Sequence, residues 1–197
     1  AFWKIEAEMM AEDRFTATQI GDILADALEY SDDSRSNLRH RVRYLAKKHH
    51  LQNGCKIDER GTLEFPKSEV YRAALYCEFL GLSMDIKVAA QALQQAEDFK
   101  PFFNKPESAR FDGGWNFSGG LSSAVRGVGA GEKWKLVILL QRSGHSTEAG
   151  LKSFYTWEND RSADVDAIFG REGASTALDI DLCSLFGSLL HRLGQIE

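Results

Sequence analysis

Apolar positions in the first half of the chain recur at helical intervals. Ile20, Ile23, Leu24 and Leu28 predict one amphipathic helix, with Thr16 or Thr18 able to cap its start. Leu38, Val42 and Leu45 fall at i, i+4 and i+7 and predict a second, from about Ser36 to near His50, stopped by Asn53 and Gly54. The polar run between them, YSDDSRS at residues 30–36, reads as the connecting turn. Lys56 and Ile57 face Leu63 and Phe65 across a turn containing Gly61, which predicts a β-hairpin. Pro66 is expected to open a third helix that carries Val70, Ala73, Ala74, Cys77 and Leu80 and ends at Gly81. Ser83 is expected to cap a fourth, with Ile86, Ala89, Ala90 and Leu93 in phase.

Beyond Pro101 and Pro106 the pattern changes. KWKLVILLQR, at residues 133–142, is apolar enough for a central strand, and LKSFYTW, at residues 151–157, suits a second. Leu178, Ile180 and Leu182 alternate with Asp179 and Asp181, after which Leu185, Phe186, Leu189, Leu190 and Leu193 take a helical period. That reads as strand then helix, with one continuous helix from Leu178 as the alternative. The predicted class is α+β. Residues 15–98 form a mostly helical domain with a hairpin, 99–112 a linker, and 113–197 a small mixed α+β domain.

Composition narrows the picture modestly. The 197 residues are 43% hydrophobic and 27% charged, ordinary for a globular protein. No apolar run approaches the roughly 20 residues that span a bilayer, and the opening AFWKIEAEMM mixes charge into its apolar residues, unlike a secretory leader. Cys55, Cys77 and Cys183 are scattered and odd in number, so reduced thiols in a cytoplasm are expected, without a metal site.

Charge is distributed unevenly. The formal net charge is −5, yet RSNLRHRVRYLAKKHH, at residues 35–50, carries Arg35, Arg39, Arg41, Arg43, Lys47, Lys48 and three histidines with no acid. A helix with an apolar stripe and a basic outer surface can sit against a polyanion while anchored to its own domain. Global acidity argues against indiscriminate coating of nucleic acid, but not against one focused basic patch.

The order helix, turn, basic helix, hairpin, helix, helix matches a winged helix-turn-helix. Within it, Ile20-Gly21-Asp22-Ile23, Val42-Arg43-Tyr44-Leu45 followed by Leu51, Gly61 with Phe65, and Leu80-Gly81-Leu82-Ser83 stand in sequence. On these residues the stretch 15–96 resembles the DNA-binding domain of the MerR family of bacterial transcription regulators. The resemblance implies a recognition helix in the major groove and a wing beside it. Two departures stand out: the 30–36 connection reads longer than in that family, and no long C-terminal dimerisation helix is evident. The family's metal-sensing cysteines have no counterpart, so a metal sensor is not expected.

Arginine can pair with guanine and asparagine with adenine, so Ser36, Asn37, Arg39, His40 and Arg43 are candidates for base and phosphate contacts, together with Thr18 and Arg35. Tyr44, Lys47 and Lys48 suit phosphates, and Lys56 and Arg60 would reach the flanking backbone from the wing.

Other motifs point less far. GVGAG, at residues 127–131, lacks the preceding strand and following helix of a dinucleotide fingerprint and is expected to be a loop. SGHS, at residues 143–146, reads as a polar turn, and Asp160, Asp164, Asp166, Asp179 and Asp181 as caps or solvated faces. Trp115, Phe117, Trp134, Phe154, Tyr155 and Trp157 are expected mostly in a core.

The expected function is sequence-specific binding of double-stranded DNA by a transcription regulator of bacterial or phage origin. It is expected in the cytoplasm at the nucleoid, as a homodimer reading two half-sites. No enzymatic activity, cofactor or membrane contact is expected; the transcription machinery or another regulator is a further partner. The alternatives are an excisionase-like or architectural DNA binder that recruits a partner, and a sensor gated by a ligand in the C-terminal domain.

Overall fold

Thr16 does two jobs at the start of the fold. It ends a three-residue strand, β1 (Arg14–Thr16), and caps the helix that follows, α1 (Ala17–Ala27). Its hydroxyl accepts from the Gln19 amide at 3.3 Å while the Gln19 side chain accepts from the Thr16 amide at 2.8 Å, a reciprocal capping box. The structure, a computed structural model, describes residues 13–98, 120–142, 149–157 and 174–194.

The second helix, α2 (Asp32–Lys47), begins earlier than Ser36. Asp32 and Asp33 occupy its first turn, where carboxylates complement the positive end of the helix dipole. The connection is therefore residues 28–31 alone, shorter than the 30–36 run predicted as turn. The helix also stops earlier, at Lys47, where His49 takes a left-handed backbone (φ 59°). Asn53 is left-handed too (φ 56°), but it turns the chain toward the next strand instead of ending the helix.

The predicted hairpin is present as β2 (Cys55–Lys56) and β3 (Leu63–Pro66), paired antiparallel. β1 adds to the other edge of β3, giving the order β1-β3-β2. Arg14 ties this sheet to the loop, donating to the Asn53 carbonyl at 2.7 Å and the Glu64 carbonyl at 3.2 Å. Pro66 closes β3 instead of opening a helix; α3 (Ser68–Gly81) starts just beyond it. In α3, Val70, Ala73, Ala74 and Cys77 are buried as predicted, but so are Tyr71, Leu75, Tyr76 and Phe79, while Leu80 is half-buried. The helix is enclosed on more than one side.

Ser83, left-handed at φ 59°, belongs to the end of α3 and does not cap the next helix. Asp85 does: its carboxylate accepts from the Lys87 amide at 2.8 Å at the start of α4 (Ile86–Asp98). The chain divides into two compact units at Met84/Asp85, so α4 falls in the second unit and not, as predicted, in the first. Residues 191–194 group with the first unit.

The second unit contains α4, α5 (Gly120–Gly129), β4 (Trp134–Arg142), β5 (Ala149–Trp157), β6 (Ala174–Asp181) and most of α6 (Leu182–Arg192). Its sheet is antiparallel in the order β5-β4-β6, with β4 central as its apolar run predicts. Leu136, Ile138 and Ile180 are buried, and the buried Ser153 hydroxyl donates to the Ala92 carbonyl of α4. Asp181 ends the strand and caps α6, accepting from the Cys183 amide at 2.9 Å. Asp179 pairs with Lys135 of the central strand at 3.0 Å, both side chains exposed.

The GVGAG stretch is a loop only at its end: Gly127 to Gly129 are the last turn of α5, whose Leu121, Ala124 and Val128 are buried, and Ala130 and Gly131 form the turn beyond it. Gly127 lies under the buried Trp134 indole, where a Cβ would overlap the ring, and Trp134 donates to the Glu132 carboxylate at 2.7 Å. The glycine that weakens the helix in sequence is the one its packing requires.

The fold is thus mixed α+β with two small antiparallel sheets among the described residues. The three cysteines are free, and no described helix is long and apolar enough to cross a membrane. The predicted linker, SGHS, Trp115, Phe117, Asp160, Asp164 and Asp166 lie outside the described residues, as do the side chains of Phe154, Tyr155 and Trp157.

Candidate nucleic-acid interface

Helix α2 is anchored by the stripe its spacing predicts: Leu38, Val42 and Leu45 are buried, and α1 meets it with Ile20, Gly21, Leu24 and Ala25. Beside this apolar seam runs a row of polar contacts at i, i+4 spacing on both helices. Arg35 donates from Nη2 to Asp26 Oδ1 at 2.5 Å, and its Nη1 lies 3.8 Å from Asp22. Arg39 places Nε and Nη2 on Asp22 Oδ1, each at 2.6 Å. Arg43 donates from Nε and Nη2 to the Thr18 hydroxyl at 3.3 and 3.2 Å. Asp26 also accepts from Arg192 at 2.9 Å. The Arg35 guanidinium holds the Asp26 carboxyl below the usual carboxylate range, and Asp26 pushes the Arg35 guanidinium up in return.

A second row faces solvent. Ser36, His40, Arg43 and Lys47 recur at i, i+4, i+7 and i+11 and are exposed, flanked by exposed Asn37, Tyr44 and Lys48. Tyr44 keeps 45% of its surface in solvent. Among the described residues no carboxylate pairs with Arg43, Lys47 or Lys48, so their charge is uncompensated.

The hairpin turn is built by its own acid. Asp58 accepts from the Thr62 amide at 2.7 Å and the Thr62 hydroxyl at 2.6 Å, and Gly61 takes φ 81° to close the turn. The Thr62 hydroxyl, then its amide, hold the Asp58 carboxyl low. Lys56, Arg60 and Ile57 are left exposed, Ile57 by 51%.

Past the end of α2, the His50 ring packs at a tilt against Tyr76, with centroids 5.4 Å apart and 49° between the planes. Burial, then the neighbouring Lys48, push its imidazole below the ordinary 6.5. The folded state thus binds this proton less readily than the unfolded chain. The contribution is complete above pH 6.5 and is withdrawn as pH falls through 6.5 toward the lowered value. We expect Tm to fall between pH 7 and 5.5, and to fall less in His50→Gln; an equal fall in both would show that other groups carry the effect.

The predicted candidates therefore separate. Ser36, Asn37, His40, Arg43, Tyr44, Lys47, Lys48, Lys56 and Arg60 are exposed; Arg35 and Arg39 are engaged with α1, and Thr18 is half-buried against Arg43. Sequence reasoning missed Asp22 and Asp26. Their signal was present as two acids at i, i+4 on one helix and two arginines at i, i+4 on the next. No protein-family model matches the chain, and no curated protein matches it.

Proposed function

We propose that the chain is a sequence-specific double-stranded DNA-binding regulator of transcription, of bacterial or phage origin, whose first unit acts as a winged helix-turn-helix. In this reading α2 enters the major groove and the β2–β3 hairpin lies along the adjacent backbone. One observation carries it: the exposed Ser36, His40, Arg43, Lys47 row, without a carboxylate partner among the described residues, on a helix anchored by its opposite face in a chain of net charge −5. Asp32 and Asp33 in the first turn repel phosphates, so contact starts at Ser36 and strengthens toward Lys47 and Lys48. Lys56 and Arg60 extend the cationic surface along the wing. A single helix reads few base pairs, so specificity calls for two half-sites and a homodimer.

The test is fluorescence anisotropy of the full chain on random-sequence duplex DNA across a salt series. Engagement of Arg43, Lys47, Lys48, Lys56 and Arg60 predicts that log K falls with log salt at a slope of about −4 to −5, each phosphate contributing about −0.9. Binding weaker than about 100 μM even in dilute salt, beyond the weak end of the usual range for non-specific binding, overturns the proposal.

A further inference from the structure

The three arginines spaced by four along α2 meet three different fates. Arg35 and Arg39 end on Asp26 and Asp22, while Arg43 ends on Thr18. Since 18, 22 and 26 are also spaced by four, the two helices form a ladder of three rungs, two ionic and one neutral. The rungs are drawn close by Gly21. A Cβ there would stand 3.0 Å from Arg39 Cα and 3.1 Å from Arg39 Cγ, nearer than packed side chains normally come.

We infer that this ladder divides the basic residues of α2 into two classes, with Asp22 and Asp26 holding Arg35 and Arg39 as positioning residues and Thr18 orienting Arg43 without neutralising it. The inference rests on the DNA-binding reading above. Its chemistry is direct. A guanidinium sharing a short bond with a carboxylate has little net charge to offer a phosphate and releases no counterion when DNA arrives. A guanidinium held by a hydroxyl keeps its full charge and loses only its freedom to swing. The ionic rungs also fix the rotation of α2 about its axis, because Arg39 must face α1 for Asp22 to reach both nitrogens. That rotation turns the Ser36, His40, Arg43, Lys47 row outward.

The test changes the rungs and reads the salt slope, a quantity that a merely structural role leaves alone. Thr18→Asp converts the neutral rung into an ionic one; an acid in the first turn of α1 also suits the helix, so the variant folds. Its slope is expected to flatten by about 0.9, with affinity for random duplex about eightfold lower in 0.1 M salt. Thr18→Asn, neutral, stays near wild type. In an Arg43→Ala background Thr18→Asp costs less than about twofold, because the guanidinium it would neutralise is gone. Asp22→Asn frees Arg39 and steepens the slope by about 0.9. Asp22→Glu, which keeps the carboxylate, restores the wild-type slope.

Wild-type binding with a slope unmoved by Thr18→Asp and Asp22→Asn overturns the ladder alone. So does an eightfold loss on Thr18→Asp that persists without Arg43, since repulsion by the new acid would then explain it. If the wild-type chain does not bind duplex DNA, the DNA-binding reading falls and takes this inference with it.

Discussion

Replacing Arg43 and Lys47 together by alanine is expected to lower affinity for random duplex DNA by about 60-fold at 0.1 M salt and to flatten the salt slope by about 1.8. Both side chains lie on the exposed row of α2, one turn apart, and neither has a carboxylate partner among the described residues. On the proposed reading, each phosphate they neutralise would release counterions, and that release is what dilute salt rewards. Stability should hardly move, within about 0.5 kcal/mol, because neither side chain is buried in the core. The pair Arg35→Ala/Arg39→Ala is expected to behave in the opposite manner. It loses the ionic rungs to Asp22 and Asp26 and lowers Tm, while the slope stays close to wild type. Anisotropy and thermal unfolding on the same preparations separate the two patterns. A larger slope change from Arg35 and Arg39 than from Arg43 and Lys47 would move the interface to the other side of the helix.

Glu69→Ala is expected to cost the first unit about 3–5 kcal/mol. Glu69 retains 1% of its surface in solvent. One carboxylate oxygen accepts from the Gln52 amide at 2.9 Å, and the other pairs with Arg72 at 3.2 Å. It thus fastens the loop after α2 to the first turn of α3. Removing it takes one carboxylate from a largely buried guanidinium and this acceptor from the Gln52 N–H. Against a total stability of roughly 5–15 kcal/mol for a domain, such a loss is a large fraction. Glu69→Gln keeps an acceptor for Gln52 and should cost markedly less. Urea unfolding followed by circular dichroism measures both, with a midpoint shift of about 2 M expected for the alanine variant at ordinary m-values. A cost below about 1 kcal/mol, the scale of an ordinary surface change, would mean that Gln52 and Arg72 find other partners at once.

Much of this protein is legible in its sequence. Leu38, Val42 and Leu45 announce a helix buried on one side; Lys56, Ile57, Leu63 and Phe65 around Gly61 announce a hairpin; the 133–142 run announces a central strand. Each is a local signal, because periodicity records which face of one element meets the core. Boundaries were less legible. Asp32 and Asp33 look like turn residues and begin a helix; Pro66 looks like a helix start and ends a strand. In both cases the same residue type serves two neighbouring roles, and for Pro66 it is pairing with Arg14 of the distant β1 that decides between them. β1 escapes notice because three residues carry no pattern, and it exists only through β3, far along the chain. Helix α5 escapes because its glycines argue against a helix, while Trp134, which needs one of them, comes later.

The sequence by itself determined the α+β class, the apolar anchor of α2 and the concentration of positive charge upon it. Tertiary structure alone decided which of those charges are spent inside the fold. Asp22, Asp26 and Thr18 lie on another helix, and a cation's availability depends on the group that faces it across the seam. No pattern within residues 35–50 can report that, since the sequence spells Arg35, Arg39 and Arg43 alike and only their partners differ.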